Sequence, residues 1–380
     1  MKIMLIGHEK GLNGASRSLL NVADELSERG HSVYVLSSFN SGMLFEELRR
    51  HKIEVIVEPF YLWCQQKGDI NNWEKKEEEW RREYNAINKK TAKHIAQYAV
   101  DNNIDIIHSN TSVINIGGLI SKYSGIKHVW HIREFADLDF NIYPLIPRKK
   151  CYKFMNRYTD RFICVSKAVA DHYDMLDSEK KEVIYNGISI TDSLSSDITN
   201  HEDNISRILI AGAIYPGKGQ HEAVAACAEL YKQGINDYEL LIAGEGKKYF
   251  SVPDELQDHV RFLGQVEDMA SLRKTIDINL MCSRAEAFGR VTVEAMMSGI
   301  PVIGSNSGGT PELIQDGVTG FLYESGNIEE LAEKIIILMN NKELRERMGK
   351  AGREYAEKNF TIERCVDKIE EVYRNLLNTQ

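Results

Sequence analysis

The sequence predicts an α/β protein made of two doubly wound parallel-sheet domains, and three observations predict it. At 380 residues the chain exceeds what one ordinary hydrophobic core organises. Its opening combines an apolar run, Lys2 to Gly7, a loop bearing Gly11 and Gly14, and an amphipathic helix from Arg17 to Arg29 with Leu19, Leu20, Val22, Ala23 and Leu26 inward. A second strand, His31 to Ser37, follows, which is how a dinucleotide-type fold begins. The same unit then recurs as Arg207-Ile-Leu-Ile-Ala-Gly212, a loop and a helix over Ala223 to Leu230. Two Rossmann-like domains facing each other across a cleft are expected, one over 1–187 and one over 205–361. Between them, residues 187–206 are rich in Ser, Thr, Asp and Asn with few apolar anchors, the composition of a linker.

Composition narrows the function. Hydrophobic content of 43% and charged content of 27% are those of a soluble globular protein. A net charge of −9, from 47 basic and 56 acidic residues, argues against nucleic acid as a partner. The six cysteines fall in no C-x-x-C spacing, and Cys164 and Cys282 lie in apolar runs, so buried free thiols in a reducing compartment are expected. The first residues form a short strand followed by Gly rather than a leader with a cleavage site. No apolar run approaches the roughly 18 residues of a spanning helix. The expectation is a cytoplasmic chain, with peripheral contact to a membrane left open.

The remaining elements follow from periodicity. Gly42 to Lys52 reads as a helix and Ile53 to Val57 as a strand. The charge-dense segment from Lys67 to Ala99, with Trp73, Trp80 and Tyr84, predicts one long helix with a solvated polar face, a partner surface being the lesser alternative. Strands are expected at Ile104 to His108, Lys127 to Ile132 and Phe162 to Ser166, with helices over Gly117 to Tyr123 and from Lys167. In the second half, strands fall at Glu239 to Ala243, Val260 to Leu263 and around Ile278 and Val302. Helices run from about Glu329, and a last amphipathic one covers Ile362 to Leu377. A nicotinamide role fails on two counts. The first loop is not G-x-G-x-x-G, and the second strand ends Val35-Leu-Ser-Ser38 without the acid that grips a ribose.

One stretch carries the chemistry: Asp277-Ile-Asn-Leu-Met-Cys-Ser-Arg-Ala-Glu286-Ala-Phe-Gly-Arg-Val-Thr-Val-Glu294-Ala-Met. A buried strand leads into a turn holding Glu286, and a helix carrying Glu294 follows. Both carboxylates can then point into a crevice at the carboxyl end of a parallel strand, where open α/β sheets bind ligands. Gly289 lets backbone N–H groups approach an anion, and the helix N-terminus favours negative charge. Carboxylates beside an anion site suit a ligand with hydroxyls at both ends and phosphates between, as in a nucleotide sugar. Upstream, Gly212-Ala-Ile-Tyr-Pro-Gly-Lys218-Gly219 places a lysine where it can neutralise a diphosphate.

Glu286 to Met296 resembles the E-x7-E signature of the family 4 retaining glycosyltransferases, which have the GT-B fold. The resemblance implies that Glu286 holds hydroxyls of the donor sugar, Glu294 takes the two ribose hydroxyls, and Phe288 and Gly289 contribute backbone N–H groups. It places Gly14 opposite the donor phosphate and Gly309, within Asn306-Ser-Gly-Gly-Thr-Pro-Glu312, in the loop closing the donor site. The family's G-R-L-x-x-x-K-G pattern keeps its lysine as Lys218 but has Ala213 in place of arginine, a gap that Arg290 is a candidate to fill. A final helix (362–380) packing back on the first domain is likewise implied. No metal and no other cofactor are implied.

In the first domain, Trp130-His131-Ile-Arg-Glu134 ends a strand. A histidine there is often only structural, but the family places a functional one at this point. His131 would then hydrogen-bond donor sugar and incoming hydroxyl, and Glu134 would orient the acceptor or stabilise positive charge on the sugar carbon. Asp137-Leu-Asp139 spells the D-x-D of metal-dependent transferases and reads here as a solvated loop. Between Arg148 and Arg161 stand six basic residues and one acid, Arg148, Lys149, Lys150 and Lys153 among them. Such a helix suits an acceptor diphosphate or anionic lipid headgroups, so the acceptor reads as a saccharide, free or carried on a polyprenyl diphosphate, with a simply solvated helix face as the alternative. A UDP-sugar-dependent transferase of bacterial surface polysaccharide synthesis leads. A sugar-nucleotide epimerase or phosphorylase of the same fold, and a non-catalytic binding module, are the alternatives.

Overall fold

Strands that are buried along their whole length must be covered on both faces, and the centres of both large sheets are built from such strands. The computed structural model describes residues 1–67, 73–189 and 205–378. It divides into two units, Met1–Gly187 with Ile362–Gln380, and Ile188–Thr361.

The first unit runs β1 (Lys2–Gly7), α1 (Gly14–Glu28), β2 (Ser32–Ser37), α2 (Met43–Arg50), β3 (Glu54–Val57), β4 (Cys64–Gln66), α3 (Trp73–Glu79), α4 (Asn85–Asp101), β5 (Ile106–Ser109), α5 (Ile116–Ser124) and β6 (Lys127–Ile132). It continues with α6 (Asp137–Phe140), β7 (Ile142–Pro144), α7 (Arg148–Arg157), β8 (Arg161–Cys164), α8 (Lys167–His172) and β9 (Lys181–Val183). Seven strands form one sheet in the order β3-β2-β1-β5-β6-β8-β9, every pair parallel, while β4 and β7 form a small antiparallel ribbon.

The second unit runs β10 (Ser206–Ala211), α9 (Gln220–Lys232), β11 (Tyr238–Ala243), β12 (Val260–Gly264), α10 (Met269–Arg273), β13 (Ile278–Met281), α11 (Arg290–Met297), β14 (Val302–Ser305), β15 (Gly320–Tyr323), α12 (Ile328–Met339) and α13 (Lys342–Asn359). Its six parallel strands are ordered β12-β11-β10-β13-β14-β15. The strand order reverses beside β1 and β5 in one unit and beside β10 and β13 in the other. Loops leaving two such neighbouring strands diverge and open the crevice in which α/β sheets bind ligands.

The last helix, α14 (Ile362–Asn378), belongs to the first unit. Val366, Ile369, Tyr373 and Leu376 sink into the same core as Leu19 and Leu26 of α1. Burying side chains of this size stabilises by roughly 2 kcal/mol each. At the edge of that contact, Arg29 reaches Asp367 at 2.7 Å and Glu370 at 2.8 Å.

Three sequence expectations are corrected. The charged segment is not one regular helix: a π-helical turn, Trp80–Tyr84, separates α3 from α4. That register change carries the Trp80 ring into the interior, where its indole N–H donates to the Leu62 carbonyl at 3.0 Å, so Trp80 serves the core rather than a partner. The strands at Ile106 and Arg161 begin two residues later and one residue earlier than periodicity suggested. β4, β7 and β15, of three or four residues each, are too short to have shown a period. The linker reading falls, but for its ends, outside the described residues. Among the described residues no helix is long and apolar enough to cross a membrane.

Candidate active site

At the switch point of the second unit, the loop after β10 and the turn after β13 lie against each other. Gly219, at φ 72°, makes this possible: a Cβ there would stand 2.1 Å from the Cys282 carbonyl oxygen. The contact brings Lys218 Nζ to 2.6 Å from Glu286 Oε2. The Glu286 backbone is gripped from the other side. Gly309 N–H donates to its carbonyl at 2.7 Å, and a Cβ on Gly308 (φ 58°) would lie 2.6 Å from that oxygen. Gly289, at φ 92°, ends the turn and starts α11. Phe288 is buried, edge-on to Phe360 at 5.9 Å, and so anchors the turn.

Glu294, one turn into α11, sits between two guanidinium groups. Arg273 from α10 donates to its Oε2, and Arg290 Nη2 stands 3.5 Å from its Oε1. Arg290 is thus engaged with Glu294, while Arg284, its side chain 64% exposed, stands on the Glu286 turn. Arg273 escaped the sequence reading. It is 2% exposed, and nothing in Met269-Ala-Ser-Leu-Arg273 marks its last residue as buried. Around the same turn, the buried hydroxyls of Ser283, Thr292 and Thr310 find no hydrogen-bond partner among the described residues.

In the first unit, β6 carries His131 and Glu134 follows it. His131 is fully buried, its Nδ1 3.2 Å from His108 Nε2, and its Nε2 has no partner among the described residues. Burial first, then the nearby Arg133 charge, hold both histidines well below the usual imidazole range, so both are neutral. Arg133 donates from Nε to Asn110 Oδ1 at 2.7 Å and from Nη1 to Asn186 Oδ1. Glu134 is locked: its Oε1 accepts from Thr111 Oγ1, Ser112 N and Ser112 Oγ, each at 2.6 Å. Gly14 is the first residue of α1, and a Cβ there would meet nothing within 4 Å.

The D-x-D segment is not a solvated loop. Asp137 pairs with His172 at 2.8 Å and with Arg148 at 3.2 Å, and Asp139 accepts from Phe135 N–H at 2.9 Å. These carboxylates are committed to protein donors. Just before them Ala136 stands at φ 71°, ψ −64°, spanned by an Asp137 N–H to Phe135 O bond of 3.1 Å. That is a strained γ-turn, of the kind stored at functional sites. On α7, Arg148, Lys149, Lys150 and Lys153 are exposed while Cys151, Tyr152 and Met155 are buried. Between α7 and the β4–β7 ribbon lies a pocket walled by Trp63, Phe135, Tyr152 and Tyr173 and reached by Ser112 and Arg148. Tyr173 O–H donates to Ser112 Oγ at 2.9 Å, linking the pocket to Glu134.

Comparison with known proteins agrees with the fold of the two units. The Glycosyltransferase Family 4 model matches residues 12–192, and the model for glycosyl transferases group 1 matches residues 194–355. An uncharacterized glycosyltransferase of Methanocaldococcus jannaschii is 31% identical over 282 residues, 72% of this chain and 76% of that one. The N-acetyl-α-D-glucosaminyl L-malate synthase of Bacillus anthracis is 26% identical over 93% of this chain and 91% of its own. Among solved structures, Anabaena HepE in complex with UDP-glucose has a TM-score of 0.76 at 22% identity, covering 99% of this chain and 100% of that one. With two parallel-sheet units of this topology and matches to both family models, the chain belongs to the GT-B glycosyltransferases, family 4 in its first half and group 1 in its second.

Proposed function

We propose that this glycosyltransferase moves a hexosyl unit from a UDP-sugar to a saccharide acceptor carried on a polyprenyl diphosphate, with retention at the anomeric carbon and no divalent metal. It would serve bacterial surface polysaccharide synthesis, working in the cytoplasm against the inner face of the membrane. The observation that carries this reading is the pairing of Lys218 with Glu286 and of Arg273 and Arg290 with Glu294 on one strand–turn–helix. Two carboxylates are held ready for hydroxyls, one toward the sugar and one toward the ribose. A cation and the α11 N-terminus stand beside them for the phosphates. As the nucleotide diphosphate leaves, Lys218 and the loop N–H groups stabilise its charge from fixed positions, which costs no reorganisation at the moment of reaction. The Anabaena complex, which holds UDP-glucose in the same fold, supports a UDP-sugar as donor.

Acceptor handling falls to the first unit. His131 Nε2 is offered to a substrate oxygen, and Glu134, fixed by three donors, orients the acceptor through the Ser112–Tyr173 edge of the pocket. Arg148 ties the basic face of α7 to α6, where Leu138 and Phe140 are 59% and 43% exposed. Basic and apolar groups together supply the two signals that peripheral membrane attachment needs.

The test is incubation of the purified chain with UDP-glucose and UDP-N-acetylglucosamine, with EDTA and an extract of lipid-linked saccharides, followed by proton NMR of the product. An α-linked product from the α-linked donor supports the reading, and a β-linked one refutes retention. A 2-epimer formed without acceptor indicates the epimerase, dependence on inorganic phosphate the phosphorylase, and binding without turnover a binding module.

A further inference from the structure

Three side chains from three separate elements of the first unit form one buried line. The Tyr373 phenol of α14 lies 2.5 Å from His108 Nδ1 at the carboxyl end of β5. His108 Nε2 lies 3.2 Å from His131 Nδ1 on β6. All three residues are at most 1% exposed. Beyond them, His131 Nε2 ends the line without a partner among the described residues.

The positions of the protons follow from counting donors and acceptors. Among the described residues the phenol oxygen has His108 as its one hydrogen-bond partner, so its proton either goes to His108 Nδ1 or is orphaned in the interior. His108 therefore accepts at Nδ1. A neutral imidazole that accepts at one nitrogen carries its proton on the other, so His108 donates from Nε2 to His131 Nδ1. The same rule places the proton of His131 on Nε2. The reversed line, with His108 donating to the phenol, would strand the phenol proton. A protonated ring would bury a second positive charge beside Arg133.

We infer that Tyr373 and His108 are positioning residues that fix His131 as its Nε2–H tautomer, so that His131 presents a hydrogen-bond donor to an oxygen of the substrate and is not the base that takes the acceptor's proton. The use made of that donor rests on the function proposed above, while the tautomer does not. The last helix is then part of the site as well as of the core, because it sets the direction of the whole line.

The test is a long-range proton–nitrogen correlation spectrum of the full chain with ¹⁵N-labelled histidine at pH 7.5, needing no substrate. His131 is assigned by the signal missing in His131→Asn. The expected wild-type result is a protonated Nε2 and a bare Nδ1, and a protonated Nδ1 overturns the inference even if Tyr373→Phe does not fold. In Tyr373→Phe the Nε2–H form should lose its dominance and mix with the other tautomer. An unchanged His131 signal in the folded variant overturns the role of Tyr373. Failure of the transferase reading would show as absent UDP binding and leave this spectrum as it is.

Discussion

Replacing Arg273 by Met probes the arginine that the sequence did not reveal. The change keeps the volume and removes the charge that pairs with Glu294 Oε2. Taking one partner from a fully buried ion pair costs about 3–5 kcal/mol, because the other charge is left without compensation. Here the Glu294 side chain keeps 13% exposure and Arg290 remains 3.5 Å away, so the low end, about 3 kcal/mol, applies. For a unit of this size, spanning Ile188–Thr361, that corresponds to a fall in Tm of about 6–12 °C. Adding Glu294→Gln removes the stranded charge, and the double variant should recover most of the loss in thermal unfolding followed by circular dichroism. It should still fail to bind UDP, because the carboxylate is gone. A loss below about 1 kcal/mol, or additive losses with no recovery, would refute the claim that Arg273 exists to hold Glu294.

Other expectations follow from the same geometry. Gly14→Ala meets nothing within 4 Å, so Tm should rise by about 1–4 °C, while KM for the donor should rise several-fold if a phosphate approaches that backbone. Lys218→Ala should weaken UDP at least tenfold by titration calorimetry, a charge-assisted hydrogen bond being worth about 1.5–3 kcal/mol. Gly308→Ala must push a Cβ into the Glu286 backbone, and both stability and donor binding should fall together. Burial holds His128, bonded to Ser109 Oγ and the Tyr158 carbonyl at 2.8 Å each, down to about 4. The unfolded chain takes up that proton near pH 6.5 and the folded chain resists it, so His128 alone should lower stability as pH drops below 6.5, by about 1.4 kcal/mol per unit and about 3 kcal/mol by pH 4, and the buried neutral His108 and His131 act in the same direction. Urea unfolding that is flat from pH 7 to 5 would contradict this.

The two sheets were legible because Lys2 to Gly7 and Arg207 to Gly212 are apolar runs followed by glycine loops, a pattern that buried parallel strands impose. Glu286 and Glu294 were legible because one turn and the first turn of one helix hold them, so their geometry is local. Arg273 and the Tyr373–His108 contact were not, because each is made between residues far apart in sequence, and no local period records which buried polar group finds which. The D-x-D segment misled for a related reason: short polar runs look solvated until His172 and Arg148, which contact Asp137, are brought beside it.

The central claim is that the β13–α11 turn holds a nucleotide-sugar donor, and calorimetric titration with UDP and with GDP, in the presence of EDTA, tests it most directly. Micromolar binding of UDP by the wild type, lost in Glu294→Ala at an unchanged circular dichroism spectrum, is the predicted result. Binding of neither nucleotide, or binding that survives Glu294→Ala, would contradict it.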